Sequence, residues 1–389
     1  MSFKKFNFLP EIMSQIEAIG YQKPTPIQEQ TIPAILNGQD VMGLAQTGTG
    51  KTAAFVLPIL ERLIKGKPGK IRTLIITPTR ELAEQINNEI IKFAKKTNLR
   101  SLTVYGGVSS HNQKMSLKQG IDILVACPGR LLDHINQRNI DLSGLETLVF
   151  DEADNMFDMG FLPAIKKILT YVPAKRQTLL FSATMPADIN NLANRILTKP
   201  KTVKVDHEIP LDIISHVVFP VEQHLKTNLL IEILKGTSSK SIIIFTRTKH
   251  QAKNLGLKLQ KTGYKAVSLQ GNLSQNQRQN ALDGFRNGHY KIMVATDIAA
   301  RGIDVSQISH VINYDTPDTT EAYTHRTGRT GRGSNKGEAF SLVTSSDRNF
   351  FYRLECKMGT KIPSRVIDGF DYQESRQISD KPRFVRRYR

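Results

Sequence analysis

The glycine-rich run AQTGTGKT, at residues 45–52, is the feature that most constrains how this chain can fold. Residues 40–44 before it are suited to a short buried strand, and a helical pattern runs from Lys51 to Leu63. A strand, a glycine-rich turn and a helix in this order bring several backbone N–H groups together, where they can bind an anion. The run therefore predicts a phosphate-binding loop, in which Lys51 contributes positive charge and Thr52 a hydroxyl for magnesium.

Acidic residues follow a second predicted strand further along the chain. Residues 145–150 are suited to a strand, and Asp151, Glu152 and Asp154 come directly after it. In open α/β sheets, nucleotides bind at the carboxyl ends of the strands. An isolated acidic pair more often caps the next helix. Together with a phosphate loop, however, these acids predict a nucleoside triphosphate bound with Mg²⁺.

Short apolar runs alternate with amphipathic runs along most of the chain, which predicts an α/β fold with mostly parallel sheets covered by helices. In the first half, further strands are predicted at 72–77, 101–105, 121–126 and 177–182, with helices at 80–93, 130–137 and 187–197. The alternation breaks at 206–212 and resumes with strands at 213–219, 241–246, 265–269, 291–295 and 310–313. We therefore expect two tandem domains, at 1–205 and 213–367, joined by a linker at 206–212.

The net charge of the chain indicates what kind of partner it binds. The formal net charge of +19 predicts attraction to a polyanion, of which nucleic acid is the first choice, although a generic basic surface is the alternative. The predicted tail at 368–389 adds to it, because six Lys or Arg oppose two acids in 374–389. This tail either contacts phosphates or is a solvated end.

Localisation and metal content are constrained by what the sequence lacks. No apolar run is long enough to span a membrane, and the first residues lack the apolar core of a signal peptide, so we expect a soluble cytoplasmic protein. Cys127 and Cys356 are too isolated for a disulfide framework or a zinc site. Magnesium is the only metal that the sequence implies.

The second half has no phosphate loop but carries an arginine motif. The run YTHRTGRTGRG at 323–333 places Arg326, Arg329 and Arg332 three residues apart, which suggests a clamp on phosphate oxygens. A glycine-arginine surface loop that binds RNA loosely is the alternative. The run ATDIAARGIDV at 295–305 follows a predicted strand. A clamp on the domain without the loop suggests a site that is completed when the two halves close.

Many ordered motifs together resemble those of the DEAD-box RNA helicases, superfamily 2 enzymes with two RecA-like domains. The resemblance runs from Phe3 to Asp368, and within the family it is strongest to the bacterial RhlE-like branch, on FTRTKH at 245–250 and the short tail. The motifs, in chain order, are GYQKPTPIQ at 20–28, AQTGTGKT at 45–52, PTREL at 78–82, GG at 106–107, PGR at 128–130, DEAD at 151–154, SAT at 182–184, FTRT at 245–248, QNQR at 275–278, ATDIAARGID at 295–304 and HRTGRTGR at 325–332.

The resemblance implies how ATP is bound and hydrolysed. Gln28 would read the adenine, with Phe3 and Tyr21 packed near the base, although Phe3 can equally be a core aromatic. Asp151 would hold Mg²⁺ through water, and Glu152 would deprotonate the attacking water. Arg329 and Arg332 would act as arginine fingers, catalytic together with Lys51, Asp151 and Glu152. The implied ATP-binding set is Phe3, Tyr21, Gln28, Ala45, Gln46, Thr47, Gly48, Thr49, Gly50, Lys51, Thr52, Asp304, Arg329 and Arg332, with Thr52 and Asp151 serving the metal.

The resemblance also implies an RNA site and the residues that couple it to ATP. RNA contacts would be made to phosphates and 2′-hydroxyls, which makes binding tolerant of sequence. Cys127 stands where the family usually has Thr, and Thr327 where it usually has Ile. The implied RNA contacts are Arg80, Gly107, Arg130, Thr248, Arg278, Thr296, Arg301 and Gly302. The implied coupling residues are Asp154, Ser182, Thr184 and His325.

The sequence therefore predicts an ATP-dependent RNA helicase that unwinds short duplexes or remodels RNA–protein complexes as its two domains close. Two alternatives are an ATP-gated annealing factor with a vestigial ATPase and a DNA-dependent ATPase of the same superfamily. Intact Lys51 and Glu152 argue against the first, and the Gln28 motif argues against the second. We expect a monomer, with ribosomal precursors or RNA-decay proteins as further partners.

Overall fold

A computed structural model of the protein describes residues 2–46, 48–205, 214–237, 241–300, 308–331 and 337–373. These residues form two compact units, one on each side of the predicted linker. The linker at 206–212 lies outside the described residues, as does the tail beyond residue 373. The exact domain boundaries stay a prediction.

The first unit is built on a sheet of seven parallel strands in the order β3-β4-β2-β5-β6-β1-β7. Its strands are β1 (Val41–Leu44), β2 (Thr73–Ile76), β3 (Ser101–Val104), β4 (Ile123–Ala126), β5 (Thr147–Phe150), β6 (Gln177–Ser182) and β7 (Lys201–Lys204). Its helices are α1 (Pro10–Ala18), α2 (Pro26–Leu36), α3 (Lys51–Ile64), α4 (Arg80–Phe93), α5 (Ser110–Lys118), α6 (Pro128–Asn136), α7 (Ala153–Asp158), α8 (Leu162–Leu169) and α9 (Ala187–Ile196), after a 3₁₀ turn at Phe3–Phe6.

Alternate residues of the central strands enter two different apolar cores. Ile75 of β2 packs with α1 to α4, whereas its neighbours Leu74 and Ile76 pack with α6 to α9. Successive side chains of a strand point to opposite faces, so both faces of this sheet are covered by helices. This explains why β2, β4, β5 and β6 are buried along their whole length.

The second unit repeats this architecture with six parallel strands in the order β10-β11-β9-β12-β13-β8. Its strands are β8 (Ile214–Pro220), β9 (Ile242–Phe245), β10 (Ala266–Leu269), β11 (Ile292–Ala295), β12 (His310–Asn313) and β13 (Gly337–Val343). Its helices are α10 (Lys226–Lys235), α11 (Lys249–Lys261), α12 (Gln275–Arg286), α13 (Asp297–Ala300), α14 (Thr320–Thr327) and α15 (Arg348–Met358), with a 3₁₀ turn at Ser345–Asp347.

The predicted fold class is confirmed, since both units are parallel sheets flanked by helices. The sequence pattern missed two strands, β7 and β13. Three of the four residues of β7 are exposed and two are lysines, so its sequence lacks the apolar run of a buried strand. β13 begins with a glycine and a glutamate, which are disfavoured in strands. No helix among the described ranges is long and apolar enough to cross a membrane.

Candidate functional site

The described residues of the glycine-rich run, which exclude Thr47, connect β1 to α3. Gly48 and Gly50 adopt φ values of 87° and 90°, which side chains other than glycine rarely tolerate. Gly50 is the N-cap of α3, and the buried ammonium of Lys51 donates to the carbonyl of Ala45 over 2.8 Å. The loop therefore curls over the N-terminus of α3 with a positive charge held beside it, an arrangement suited to phosphate.

Gln28 ties the start of α2 to this loop. Its Oε1 accepts from the backbone N–H of Thr25 over 2.9 Å, and its Nε2 donates to the carbonyl of Gly50 over 3.1 Å. A β-carbon at Gly50 would lie 2.5 Å from Nε2, so only glycine permits this approach. An amide has two N–H groups and two lone pairs, so one of each remains for another partner. The geometry is compatible with the predicted reading of adenine.

Phe3 and Tyr21 differ in accessibility. Phe3 is 1% exposed and packs edge-on against Phe6 and Tyr21, with ring centroids 6.0 Å apart in both pairs. Tyr21 is partly buried and also contacts Phe93. This packing favours the alternative interpretation of Phe3 as a core aromatic and leaves Tyr21 as the more accessible ring.

Asp151 follows β5 and is almost completely buried. Burial raises the pKa of its carboxyl to about 7, and the positive charge of Lys51 partly counteracts this rise. A buried carboxylate needs a compensating cation, so Asp151 and the hydroxyl of Thr52 fit a metal bound with a nucleotide. The described residues contain no cluster of three or more His, Cys, Asp or Glu able to cage a metal. Mg²⁺ in nucleotide sites does not need one, because phosphates and water complete its shell.

Glu152 is the N-cap of α7 and adopts the left-handed backbone conformation, with φ 54° and ψ 53°. Such a conformation is uncommon for a residue with a side chain and often marks a functional position. Its carboxylate is 3% exposed and accepts from Nδ2 of Asn155 over 2.9 Å. The sequence interpretation missed Asn155, whose only signal was its spacing of three residues from Glu152.

Asp154 joins α7 to the turn after β6. Its Oδ2 accepts from the backbone N–H groups of Ala183 and Thr184 and from the hydroxyl of Thr184, at 3.0, 2.9 and 3.2 Å. Ser182 Oγ accepts from the N–H of Asp154 and donates to the carbonyl of Thr184. Three of the four predicted coupling residues therefore form one network within the first unit. His325, the fourth, lies on α14 of the second unit.

Two predicted RNA contacts of the first unit are packed against each other. Arg80 is the first residue of α4, and Gly107 has a φ of 82° in the turn after β3. A β-carbon at Gly107 would clash with the guanidinium of Arg80. The glycine therefore allows the guanidinium to lie against the backbone of this turn.

Arg130 belongs to a network that the sequence interpretation missed. Its Nη1 donates to the carbonyl of Val108 and to Oε1 of Gln113, at 3.2 and 3.3 Å. Gln113 also donates to the carbonyl of Tyr105 and bonds to Nε2 of His134. Burial lowers the pKa of His134, so its ring is neutral and Nε2 can carry the donated proton. Gln113 thus connects the Gly107 turn to Arg130.

Cys127 is the N-cap of α6 but forms no side-chain capping hydrogen bond. Burial raises the pKa of its thiol to about 12, which keeps the group protonated and unreactive at neutral pH. Its omission from the RNA-binding set stays a prediction.

In the second unit, Thr248 is the N-cap of α11 and accepts from the N–H of Gln251 over 3.2 Å. The turn before it is fixed by Asp315, whose Oδ2 accepts from the N–H of Arg247 over 2.8 Å. Lys226 is 2% exposed, lies 3.7 Å from Asp315 Oδ1 and donates to the carbonyl of Tyr314. Burial lowers the pKa of Lys226, and the neighbouring Asp315 offsets part of this effect.

Arg326 of the arginine motif is held by contacts inside the second unit. It is 3% exposed and forms a bidentate pair with Asp297, at 2.6 and 2.7 Å, while its Nη1 donates to Asn313 and to the carbonyl of Asp315. This guanidinium is therefore committed to the interior of the second unit. Arg329 follows α14 and is 8% exposed.

Two further predicted RNA contacts belong to the second unit: Arg278 lies in α12, and Thr296 directly follows β11. Arg278 Nη2 donates to the carbonyl of Ala299 over 3.4 Å, which links α12 to α13. Thr296 precedes α13, and its carbonyl accepts from the N–H of Ala300. The predicted site residues Thr47, Arg301, Gly302, Asp304 and Arg332 lie outside the described residues.

Comparison with known proteins agrees with this arrangement. The DEAD/DEAH box helicase family matches residues 25–192, and the helicase conserved C-terminal domain matches residues 225–334. The DEAD-box ATP-dependent RNA helicase CshA of Bacillus subtilis is 42% identical over 356 residues, covering 91% of this chain and 72% of that protein. The ATP-dependent RNA helicase CshA of Limosilactobacillus reuteri is 41% identical, with 91% and 71% covered.

Solved structures of DEAD-box proteins also match this chain over most of its length. S. cerevisiae Dbp5 bound to RNA and ADP BeF3 matches with a TM-score of 0.85 and 31% identity, covering 94% of this chain and 95% of that one. A DEAD box protein from Methanococcus jannaschii matches with a TM-score of 0.54 and 35% identity, covering 94% and 99%. These matches do not distinguish the RhlE-like branch, which stays a prediction. The chain belongs to the DEAD-box ATP-dependent RNA helicases.

Proposed function

We propose that the protein uses ATP with Mg²⁺ to unwind short RNA duplexes or to remodel RNA–protein complexes, with the residue roles predicted from its sequence. The observation that carries the proposal is the buried group of Lys51, Asp151 and Glu152 beside the glycine-rich loop. The positive charge of Lys51 lowers the pKa of Asp151, which supports a common role for the glycine-rich loop and the acidic residues.

Thr52 and Asp151 would hold Mg²⁺ with the nucleotide. Bound there, the ion would neutralise charge on the phosphates during transfer. The raised pKa of Asp151 supports this assignment, because a carboxyl that resists ionisation in the protein alone becomes an anionic ligand when a cation arrives. Gln28 and Tyr21 would contact the adenine.

Glu152 would orient the attacking water and accept its proton. Its burial excludes competing solvent, and the amide of Asn155 restrains its carboxylate. Arg329 and Arg332 would stabilise charge on the γ-phosphate when the two units close around ATP, and Asp304 would bind the ribose. Arginine fingers contribute roughly 10³-fold to 10⁵-fold to the rate in related phosphoryl-transfer enzymes.

RNA would be held through its backbone by the predicted contacts on both units. Arg80 and Arg130 supply guanidinium groups near the Gly107 turn, and Thr248 and Arg278 supply donors on the second unit. Contacts of this kind do not read bases, so binding would be sequence-tolerant and would weaken with salt. Asp154, Ser182, Thr184 and His325 would relay the nucleotide state to this surface. We infer that the protein acts as a monomer, either on ribosomal precursors or together with RNA-decay proteins.

Two substitutions test these roles. In Glu152→Gln, RNA-stimulated phosphate release should collapse while ATP-dependent RNA binding persists, because the amide keeps the shape of the carboxylate but cannot accept a proton. A variant that hydrolyses ATP at the parental rate would rule out Glu152 as the base. Lys51→Ala should instead weaken nucleotide binding itself, measured by titration with a fluorescent nucleotide.

A further inference from the structure

The exposed half of α11 carries four lysines that the nucleotide site does not use. Lys249, Lys253, Lys258 and Lys261, which we call the lysine face, are all exposed. The opposite side of the helix is buried against the sheet through Ala252, Leu255, Gly256 and Leu259. The lysine face therefore points to solvent along the whole length of α11.

No carboxylate of the surrounding sequence neutralises this surface. The chain contains no Asp or Glu between Glu232 and Asp283. Within the part of the second unit that is described, none of the four lysines forms an ion pair. By contrast, basic residues at either end of the acid-free segment are paired, Lys235 with Glu232 and Arg286 with Asp283.

The helix dipole explains only the two lysines at the C-terminal end of α11. Lys258 and Lys261 lie in the last turn, where the helix dipole favours positive charge. Lys249 is the first residue of α11, where the dipole disfavours positive charge, and Lys253 lies one turn later, where the dipole has little effect. The first turn contains no acidic residue to offset it. Solubility alone would be served equally well by acids at these positions, so the lysines at this end point to an anionic partner.

The lysine face continues from a predicted RNA contact. α11 begins directly after its N-cap Thr248, and the turn that contains Thr248 is fixed by Asp315. A helix of this length extends for roughly 20 Å, enough to follow several phosphates of a single strand. RNA bound at Thr248 would therefore meet further positive charge along α11.

We propose that the lysine face binds the phosphate backbone of an RNA strand that extends beyond the Thr248 end of α11. This inference rests on the proposed function, because it requires RNA to be held at Thr248. Lysines are flexible point charges, so the contact is independent of sequence and sensitive to salt. The face gives the enzyme higher affinity for long single strands than for strands that fill only the central site.

The test compares RNA of two lengths. The variant combines Lys253→Gln, Lys258→Gln and Lys261→Gln, and leaves Lys249 intact because it adjoins Thr248. Fluorescence anisotropy with a non-hydrolysable ATP analogue measures affinity for single strands of about 8 and about 24 nucleotides. At about 0.1 M salt the long strand should bind roughly 10-fold to 100-fold more weakly, and its logarithmic salt slope should fall by about 2. Affinity for the short strand should not change.

A charge-matched control carries Lys166→Gln, Lys167→Gln and Lys175→Gln, three exposed positions of the first unit. It should retain the parental affinity for the long strand. Equal losses in both triple variants would reveal a general effect of net charge and overturn the proposal, as would parental affinity in the lysine-face variant. Binding of poly-glutamate that depends on the face, with RNA binding intact, would identify an acidic protein segment as the partner instead. Failure of the parent to bind even the short strand with ATP would contradict the proposed function rather than this inference.

Discussion

The side-chain amide of Asn155 donates to Oε2 of Glu152 over 2.9 Å, and both residues are buried. Oδ1 of Asn155 has no hydrogen-bond partner among the described residues. The amide is therefore oriented by Glu152, and it restrains the carboxylate that we assign as the base. A restrained base keeps its oxygen in position for the attacking water, which matters because small displacements are costly in catalysis.

Asn155→Asp should lower kcat of RNA-stimulated ATP hydrolysis by up to roughly 100-fold, because a displacement of a catalytic group by about 1 Å can cost that much. KM for ATP should stay close to parental, because Asn155 has no predicted nucleotide contact. The introduced carboxyl can donate only when protonated, so the deficit relative to the parent should shrink as pH falls. A rise in KM with unchanged kcat would contradict a role in positioning Glu152, and a deficit independent of pH would indicate a purely structural defect.

The sequence predicted the parallel sheets, the glycine-rich loop and the position of Glu152, because these depend on local patterns of apolar residues and glycines. It did not predict Asn155 as a partner of Glu152, since that contact depends on the left-handed backbone at Glu152. The spacing of the arginine motif alone did not distinguish Arg326 from Arg329, although the family resemblance implies a catalytic role for Arg329 and none for Arg326. The contacts that hold Arg326 in the second unit come from Asp297 and Asn313, which are distant in sequence and approach only in the folded protein.

Arg326→Gln should destabilise the second unit rather than affect catalysis alone. The substitution removes the buried donor of Asn313 Oδ1 and of the carbonyl of Asp315, and each buried acceptor left unsatisfied costs about 1 to 3 kcal/mol. The carboxylate of Asp297 also loses its bidentate partner but is about one-third exposed, so water compensates much of its charge. Chemical unfolding followed by circular dichroism measures the loss. Arg286→Gln is the matched control, because its pair with Asp283 is exposed and should contribute under about 1 kcal/mol. Similar stabilities for the two variants would refute a structural role for Arg326.

Gly107→Ala should weaken RNA binding while nucleotide binding persists. A β-carbon at this position strains the positive φ and displaces the guanidinium of Arg80. Loss of one phosphate contact should reduce the logarithmic salt slope for RNA by about 0.7. Gly144→Ala is a suitable control, since its β-carbon would meet no atom closer than 3.8 Å. Parental RNA affinity in Gly107→Ala would show that Arg80 does not contribute from this position.

Cys127→Thr should stabilise the first unit. Cys127 occupies the N-cap of α6 without capping it, and a threonine hydroxyl there can accept from a free N–H of the first turn. The expected gain is about 1 kcal/mol in the free energy of unfolding. Because Arg130 lies in that turn, RNA affinity should rise as well. Cys127→Val has the shape of threonine without its hydroxyl, so equal stability of the two variants would exclude capping as the cause.

Asp151 should make the stability of the nucleotide-free protein depend on pH. Its pKa is about 7 in the folded protein, against an ordinary value of 3.8, so the folded state keeps a proton that the unfolded chain loses between these values. Stability from this group is therefore present at low pH and is lost as pH rises from about 4 to about 7. Asp151→Asn removes the dependence, because its amide is neutral throughout.

The stabilising effect of Asp151→Asn, measured as the difference in Tm from the parent, should therefore grow across this range and level off above it. ADP with Mg²⁺ should reverse the order of the two proteins at about pH 8, since a bound cation favours the ionised carboxyl of the parent and the amide is a weaker ligand. A difference in Tm that does not change with pH would mean that Asp151 is ionised in the folded protein, and that its negative charge is already compensated by Lys51 before any metal binds.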